Sequence, residues 1–125
     1  MTINEAIAKV DALKPNTYEN ETKIAWLSEL DGIIYEECIR THEGDEDIAL
    51  PEYDAADMDT ELIVQGPYSD IYVKYMAAQI DYNNAEFGRY GNSVKMFNSR
   101  LDEFYSWYTR THMPKQLNGL WTGVR

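Results

Sequence analysis

The chain has 125 residues and a mass of 14.5 kDa, the length of one domain with one core. Its 44% hydrophobic and 13% aromatic content argues against disorder. A formal charge of −11 and a pI near 4.4 argue against gripping nucleic acid, which needs clustered Lys and Arg to release counterions.

The lone cysteine, Cys38, has no partner for an internal disulfide and sits within a helical pattern, where a small core residue is expected. The N-terminus lacks the basic and apolar regions of a signal peptide, and no run approaches the roughly 18 apolar residues of a membrane span. A soluble cytoplasmic chain that meets no membrane is the expectation.

Thr2-Ile3-Asn4-Glu5 has the spacing of a capping box, and Ile7, Val10 and Leu13, with Ala6 beside them, predict a short first helix closed by Lys14-Pro15-Asn16. A polar connector leads to a second helix from near Asn20 to about Thr41. Its stripe of Ile24, Trp26, Leu27, Leu30, Ile33, Ile34, Cys38 and Ile39 is wide, as for a helix buried on more than one side. From Glu43 to Tyr68 the helical period disappears. Between Glu43 and Glu61 stand nine acidic residues and no Lys or Arg. Ile48-Ala49-Leu50 and Glu61-Leu62-Ile63-Val64 have strand character, so residues 43–66 read as a loose β-hairpin or extended excursion.

A third helix restarts at Pro67 or Ser69, with one stripe of Tyr72, Met76, Ile80, Asn83, Phe87 and Tyr90 and a second of Ile71, Tyr75, Ala78 and Tyr82. Gly91-Asn92 reads as a break. Val94, Phe97, Leu101, Phe104, Tyr105 and Tyr108 mark a last helix ending before Pro114. The expected fold is all-α: four helices, the last two in an antiparallel hairpin or in one helix kinked at Gly91. The helical domain spans 1–112, and an extended tail, 113–125, follows. That tail carries Leu117, Leu120 and Trp121 without a helical period and needs another surface to lie on.

Chemistry finds little purchase. Asp54, Asp57, Asp59 and Glu61 are close in sequence but lack the EF-hand spacing, so a solvated acidic loop is expected, not a metal site. His42 and His112 close matching Arg-Thr-His triplets at helix ends, where they suit the dipole and the last carbonyls. Glu36-Glu37 and Asp102-Glu103 diverge by about 100° on their helices and share no site. No nucleophile elbow, phosphate loop or dinucleotide fingerprint appears. No catalytic residue, cofactor or metal is expected, and the chain does not read as an enzyme. The tyrosines read as core-edge residues whose hydroxyls reach a partner, and two stripes on one helix suggest that one faces a neighbour.

The order Tyr35-Glu36-Glu37, Thr41-His42-Glu43-Gly44, Glu61-Leu62-Ile63-Val64, Pro67-Tyr68, Tyr90-x-Asn92-Ser93, Phe97-Asn98 and Trp107-Tyr108-x-Arg110-x-His112-Met113-Pro114 resembles the head–tail connector (adaptor or head-completion) proteins of long-tailed bacteriophages and prophages. The resemblance covers nearly the whole chain and rests on aromatic and polar landmarks. It implies a virion structural protein that forms a ring, commonly of twelve copies, at the neck between portal and tail. The ring closes the head, and genomic DNA passes through it without specific binding; the chain would pass through the host cytoplasm during assembly. The resemblance places portal docking on Met113, Lys115, Leu117, Leu120, Trp121 and Arg125. It places the subunit interface on Tyr72, Tyr75, Tyr82, Tyr105 and Tyr108. Asp45, Glu46, Asp47, Asp54, Asp57 and Asp59 would line the channel or meet the next neck or tail-completion protein. Two alternatives stand beside it: a tail-completion or terminator ring, and a small acidic regulator that mimics DNA.

Overall fold

A computed structural model describes residues 1–115; Leu117, Leu120, Trp121 and Arg125 lie outside the described residues. Within them the chain is all-α, with helices α1 (Ile3–Leu13), α2 (Asn20–Ile34), α3 (Ile71–Asn83) and α4 (Phe87–Thr111).

The capping box opens α1 as its spacing predicts. Thr2 Oγ1 accepts from the Glu5 amide at 3.1 Å, and Glu5 Oε1 accepts from the Thr2 amide at 2.8 Å. Ile3, Ala6, Ile7 and Val10 are buried, whereas Leu13 at the end of the stripe is 67% exposed. Helix α2 buries Ile24, Leu27, Leu30 and Ile34, and continues without interruption into a π-helical turn over Tyr35–Ile39. The Arg40 amide reaches back five residues to the Tyr35 carbonyl at 2.9 Å. One extra residue in the turn shifts the inward face, so that adjacent Cys38 and Ile39 both reach the core. Burial pushes the Cys38 thiol up to about 12, which makes it an inert filler.

Helices α3 and α4 pack antiparallel, because their contacts pair in opposite chain order. Ser93 Oγ donates to Asp81 Oδ2 at 2.5 Å, the Tyr75 and Phe97 rings lie 5.0 Å apart, and Arg100 Nε meets Asp70 Oδ1 at 2.8 Å. The break between them is not at Gly91-Asn92, which lies inside α4. It falls at residues 84–86, where Ala85 adopts a left-handed φ of +58°. The Glu86 amide bonds the Asp81 carbonyl at 2.9 Å and the Ala85 amide bonds the Tyr82 carbonyl at 3.0 Å, the Schellman pattern of helix termination.

The insertion is not a β-hairpin. Among the described residues there is no strand, and the isolated bridges join Thr2 to Glu61 and His42 to Pro114, so neither pairs two residues of the insertion. Its strand-like segments find other partners. Leu62 and Val64 are buried, and the Leu62 amide bonds the Met1 carbonyl at 3.0 Å. Ile48 is half-buried and Leu50 is exposed, and Pro51 offers no amide for a ladder.

The insertion is instead tied to α2 through a buried carboxylate. Asp31, fully buried, accepts from Tyr53 Oη at 2.6 Å, from the Ile63 amide at 3.1 Å, and from Tyr72 Oη at 2.6 Å. Tyr72 Oη in turn accepts from the Val64 amide at 2.7 Å. Burial raises the Asp31 pKa against the lowering effect of these hydrogen bonds.

Candidate functional site

Among the described residues, the end of α4 and the start of the insertion are joined by several side-chain and backbone contacts. Two matching triplets build this junction. In Arg40-Thr41-His42, Thr41 Oγ1 donates to the Glu37 carbonyl at 3.2 Å and His42 Nδ1 lies 2.9 Å from the Cys38 carbonyl. In Arg110-Thr111-His112, Thr111 Oγ1 donates to the Trp107 carbonyl at 2.9 Å and His112 Nδ1 lies 3.1 Å from the Tyr108 carbonyl. Both histidine rings thus reach carbonyls of the last helical turn, as their positions in sequence suggest.

The two ends are then clasped together. The Glu43 amide bonds the Met113 carbonyl at 2.8 Å, and the Lys115 amide bonds the Thr41 carbonyl at 2.9 Å, an antiparallel pairing about His42 and Pro114. The His112 ring stacks on Tyr108 with centroids 3.7 Å apart and planes 4° from parallel. Tyr108 Oη donates to Asp45 Oδ2 at 2.8 Å, and His112 Nε2 lies 3.4 Å from the same oxygen, a contact that becomes an ion pair when the ring is protonated. Burial first, then the Asp45 hydrogen bond, raises the Tyr108 phenol, so it stays neutral and donates. Gly44 lets the loop lie against this stack: its φ is +121°, and a Cβ there would stand 2.7 Å from His112 Cδ2.

The residues expected at a subunit interface separate into distinct environments. Tyr72 is fully buried and spends its hydroxyl on Asp31, so it is a core residue and not an interface residue. Tyr108 is likewise buried, within the clasp. Tyr75 and Tyr105 are half-buried, and their hydroxyls bond Glu29 and Glu37 of the α2 arm. Those carboxylates are intramolecular partners that a sequence pattern does not identify. Tyr82 is 55% exposed and stands beside Phe87, 62% exposed, and Tyr90 at the tip of the hairpin.

The acidic residues of the insertion also divide. Asp45 belongs to the clasp. Glu46 accepts from the Gly44 amide, which lowers its pKa. Asp54 and Asp57 cap the short 3-10 turn Ala55–Asp57, each accepting from the other's end. Asp47 and Asp59 are exposed. Among the described residues no three His, Cys, Asp or Glu side chains gather as a metal site. Of the residues expected to dock on a portal, Met113 is 69% exposed and Lys115 is held by Thr41; the others lie outside the described residues.

Beside the clasp lie two adjoining concavities of about 220 and about 360 Å³ that share Ile48, Ile63 and Gln65. The first is closed by Phe104 and Trp107 of α4, and the second extends past Pro51 and Tyr53. A separate hollow of about 440 Å³ is lined by Leu13, Val73, Ala77 and Met96. Among the described residues no helix is long and apolar enough to cross a membrane. Compared with known proteins, the chain matches no family model, no curated protein and no solved structure.

Proposed function

We propose that this chain is a structural subunit of the neck of a tailed phage, forming a ring between portal and tail that closes the head and encloses the DNA channel. The observation that carries the reading is the clasp. Met113–Lys115 is pinned to Thr41–Glu43, and the residues beyond it include Leu117, Leu120 and Trp121. A fixed exit followed by large apolar side chains suits a segment that works on another surface, because burying those side chains against a partner removes apolar area from water. Repetition around a ring multiplies such contacts into avidity. The portal lies on one face of the ring and the next neck or tail-completion protein on the other.

The acidic insertion suits a surface past which phosphate slides instead of sticking. Asp47, Asp59 and their neighbours take the channel side or the face toward the next ring. The reading assigns the chain no catalysis and no cofactor.

Cryo-EM and mass spectrometry of tailed particles released from cells that encode the chain test this. The expected result is a ring of the chain directly beneath the portal. Absence from purified particles overturns the reading, and acidic side chains mapped to the outside of the ring overturn the channel assignment. Co-assembly with portal in the absence of tail components separates a connector from a tail-completion ring.

A further inference from the structure

We propose that the C-terminal segment of one copy docks in the trough between the acidic insertion and α4 of the next copy, so that each subunit holds its neighbour. The proposal rests on the ring-forming reading and names the contact that links the ring.

The trough is the pair of concavities joined through Ile48, Ile63 and Gln65. Among the described residues it runs open from Trp107 on α4 to Pro51 and Tyr53 in the insertion. Its lining is mostly apolar and includes Asp45, which accepts from Tyr108, and Glu61, which pairs with the Met1 amino group. Such a trough selects an extended segment with apolar anchors, positive charge and no carboxylate side chains.

Residues 116–125 have that composition: Leu117, Leu120, Trp121 and Val124 with Arg125, and no Asp or Glu, while Lys115 stays in its own chain's clasp. The insertion carries the complementary charge, nine acidic residues from Glu43 to Glu61 and no Lys or Arg. A tryptophan seated in a desolvated apolar pocket is the kind of anchor that carries much of the binding energy of such contacts. The charge opposition steers encounter and fixes orientation.

The clasp fixes where that segment starts: Met113 pairs with Glu43 and Lys115 with Thr41 in antiparallel register, next to His112, which lines the trough. The ring-forming reading puts the occupied trough on the next copy. A contact between two different patches is head-to-tail, and its repetition closes into a ring when the rotation allows.

A mixing experiment with full-length chains tests the proposal. One variant, Leu120→Ala with Trp121→Ala, loses the anchors; the other, Ile48→Lys, fills and charges the trough. Circular dichroism checks that each folds, and exposed Ala49→Lys, on the trough lining, replaces Ile48→Lys if that variant does not. In sedimentation velocity the unaltered chain self-associates, and each variant does so at least ~30-fold more weakly. An equimolar mixture regains a heterodimer, since one partner keeps the trough and the other keeps the anchors.

A mixture no better than its components overturns the proposal, as does a strictly monomeric unaltered chain. Photocrosslinks from position 121 in a mixture of isotopically light and heavy chains must join two chains at residues 48–65; crosslinks confined to one chain overturn it. The neck reading is judged separately. A chain without residues 116–125 that still forms rings in particles sinks this contact alone, whereas absence of the unaltered chain from particles sinks the neck reading alone.

Discussion

Asp31 gathers more of the fold than any other single side chain, because it is a buried carboxylate whose oxygens bind α2, α3 and the insertion together. Tyr72→Phe removes a donor to Asp31 and leaves the Val64 amide without its acceptor, so a loss of about 1–3 kcal/mol is expected in urea denaturation. Asp31→Asn turns an amide toward donors that need acceptors and is expected to cost a similar amount. The pH dependence of that deficit has a definite sign. The Asp31 pKa is raised in the folded state, so its contribution to stability grows as pH falls toward the ordinary value of 3.8. The deficit of the Asn variant is therefore expected to widen between pH 7 and pH 4. A deficit that narrows on acidification contradicts this. Asp70 and Asp81 act oppositely: burial raises them, but Arg100 and Lys74 on one and Lys14 and Ser93 on the other hold them net below the usual range. Their contribution is present above the ordinary value and is lost as pH falls through the lowered one.

Helix positions were legible where one local signal suffices, as in the Thr2–Glu5 box and the apolar stripes of α3 and α4. They were not legible where a longer-range partner decides. A Gly-Asn pair resembles a break, yet Gly91 continues α4 and the real turn places Ala85 in a left-handed conformation that Ala disfavours. No composition marks such a turn; the hydrogen bonds of Ala85 and Glu86 hold it. Ala85→Gly is accordingly expected to stabilise the chain by ~0.5–1 kcal/mol in thermal denaturation. Gly91→Ala, with nothing within 4 Å of the added Cβ, is expected to stabilise by a similar amount through helix propensity. A destabilising result at position 91 places the helix break where the sequence pattern first suggests it. The insertion failed as a hairpin for a related reason. Ile48-Ala49-Leu50 and Glu61-Leu62-Ile63-Val64 have strand character, but Asp31, Tyr72 and the N-terminal residues take the backbone groups of the second segment. A partner remote in sequence overrode the local propensity.

At the scale of the whole molecule, the core formed by the described residues joins distant parts of the chain. Its buried residues run from Ile3 to Tyr108, drawing on all four helices and on Leu62 and Val64 of the insertion. The clasp follows and ends at Lys115. Phe97, packed on Tyr75 between α3 and α4, shows what an internal anchor is worth: Phe97→Ala is expected to cost about 3–5 kcal/mol. That is a large share of the roughly 5–15 kcal/mol that holds a domain together. Removing residues 117–125 is expected to leave helical content unchanged and stability within ~1 kcal/mol in thermal denaturation, while self-association is lost. The two readouts separate the possible roles of Leu117, Leu120 and Trp121. If the truncated chain melts several kcal/mol sooner, these side chains complete their own core, and neither a neighbouring copy nor a portal is needed to cover them. If it melts like the full chain but no longer associates, the apolar cost of exposing them in the free subunit becomes the driving force for assembly. Raising the salt then separates the two parts of that force. Screening weakens the attraction between the cationic segment and the acidic insertion but leaves the burial of Leu120 and Trp121 in place, so association is expected to weaken with salt without vanishing.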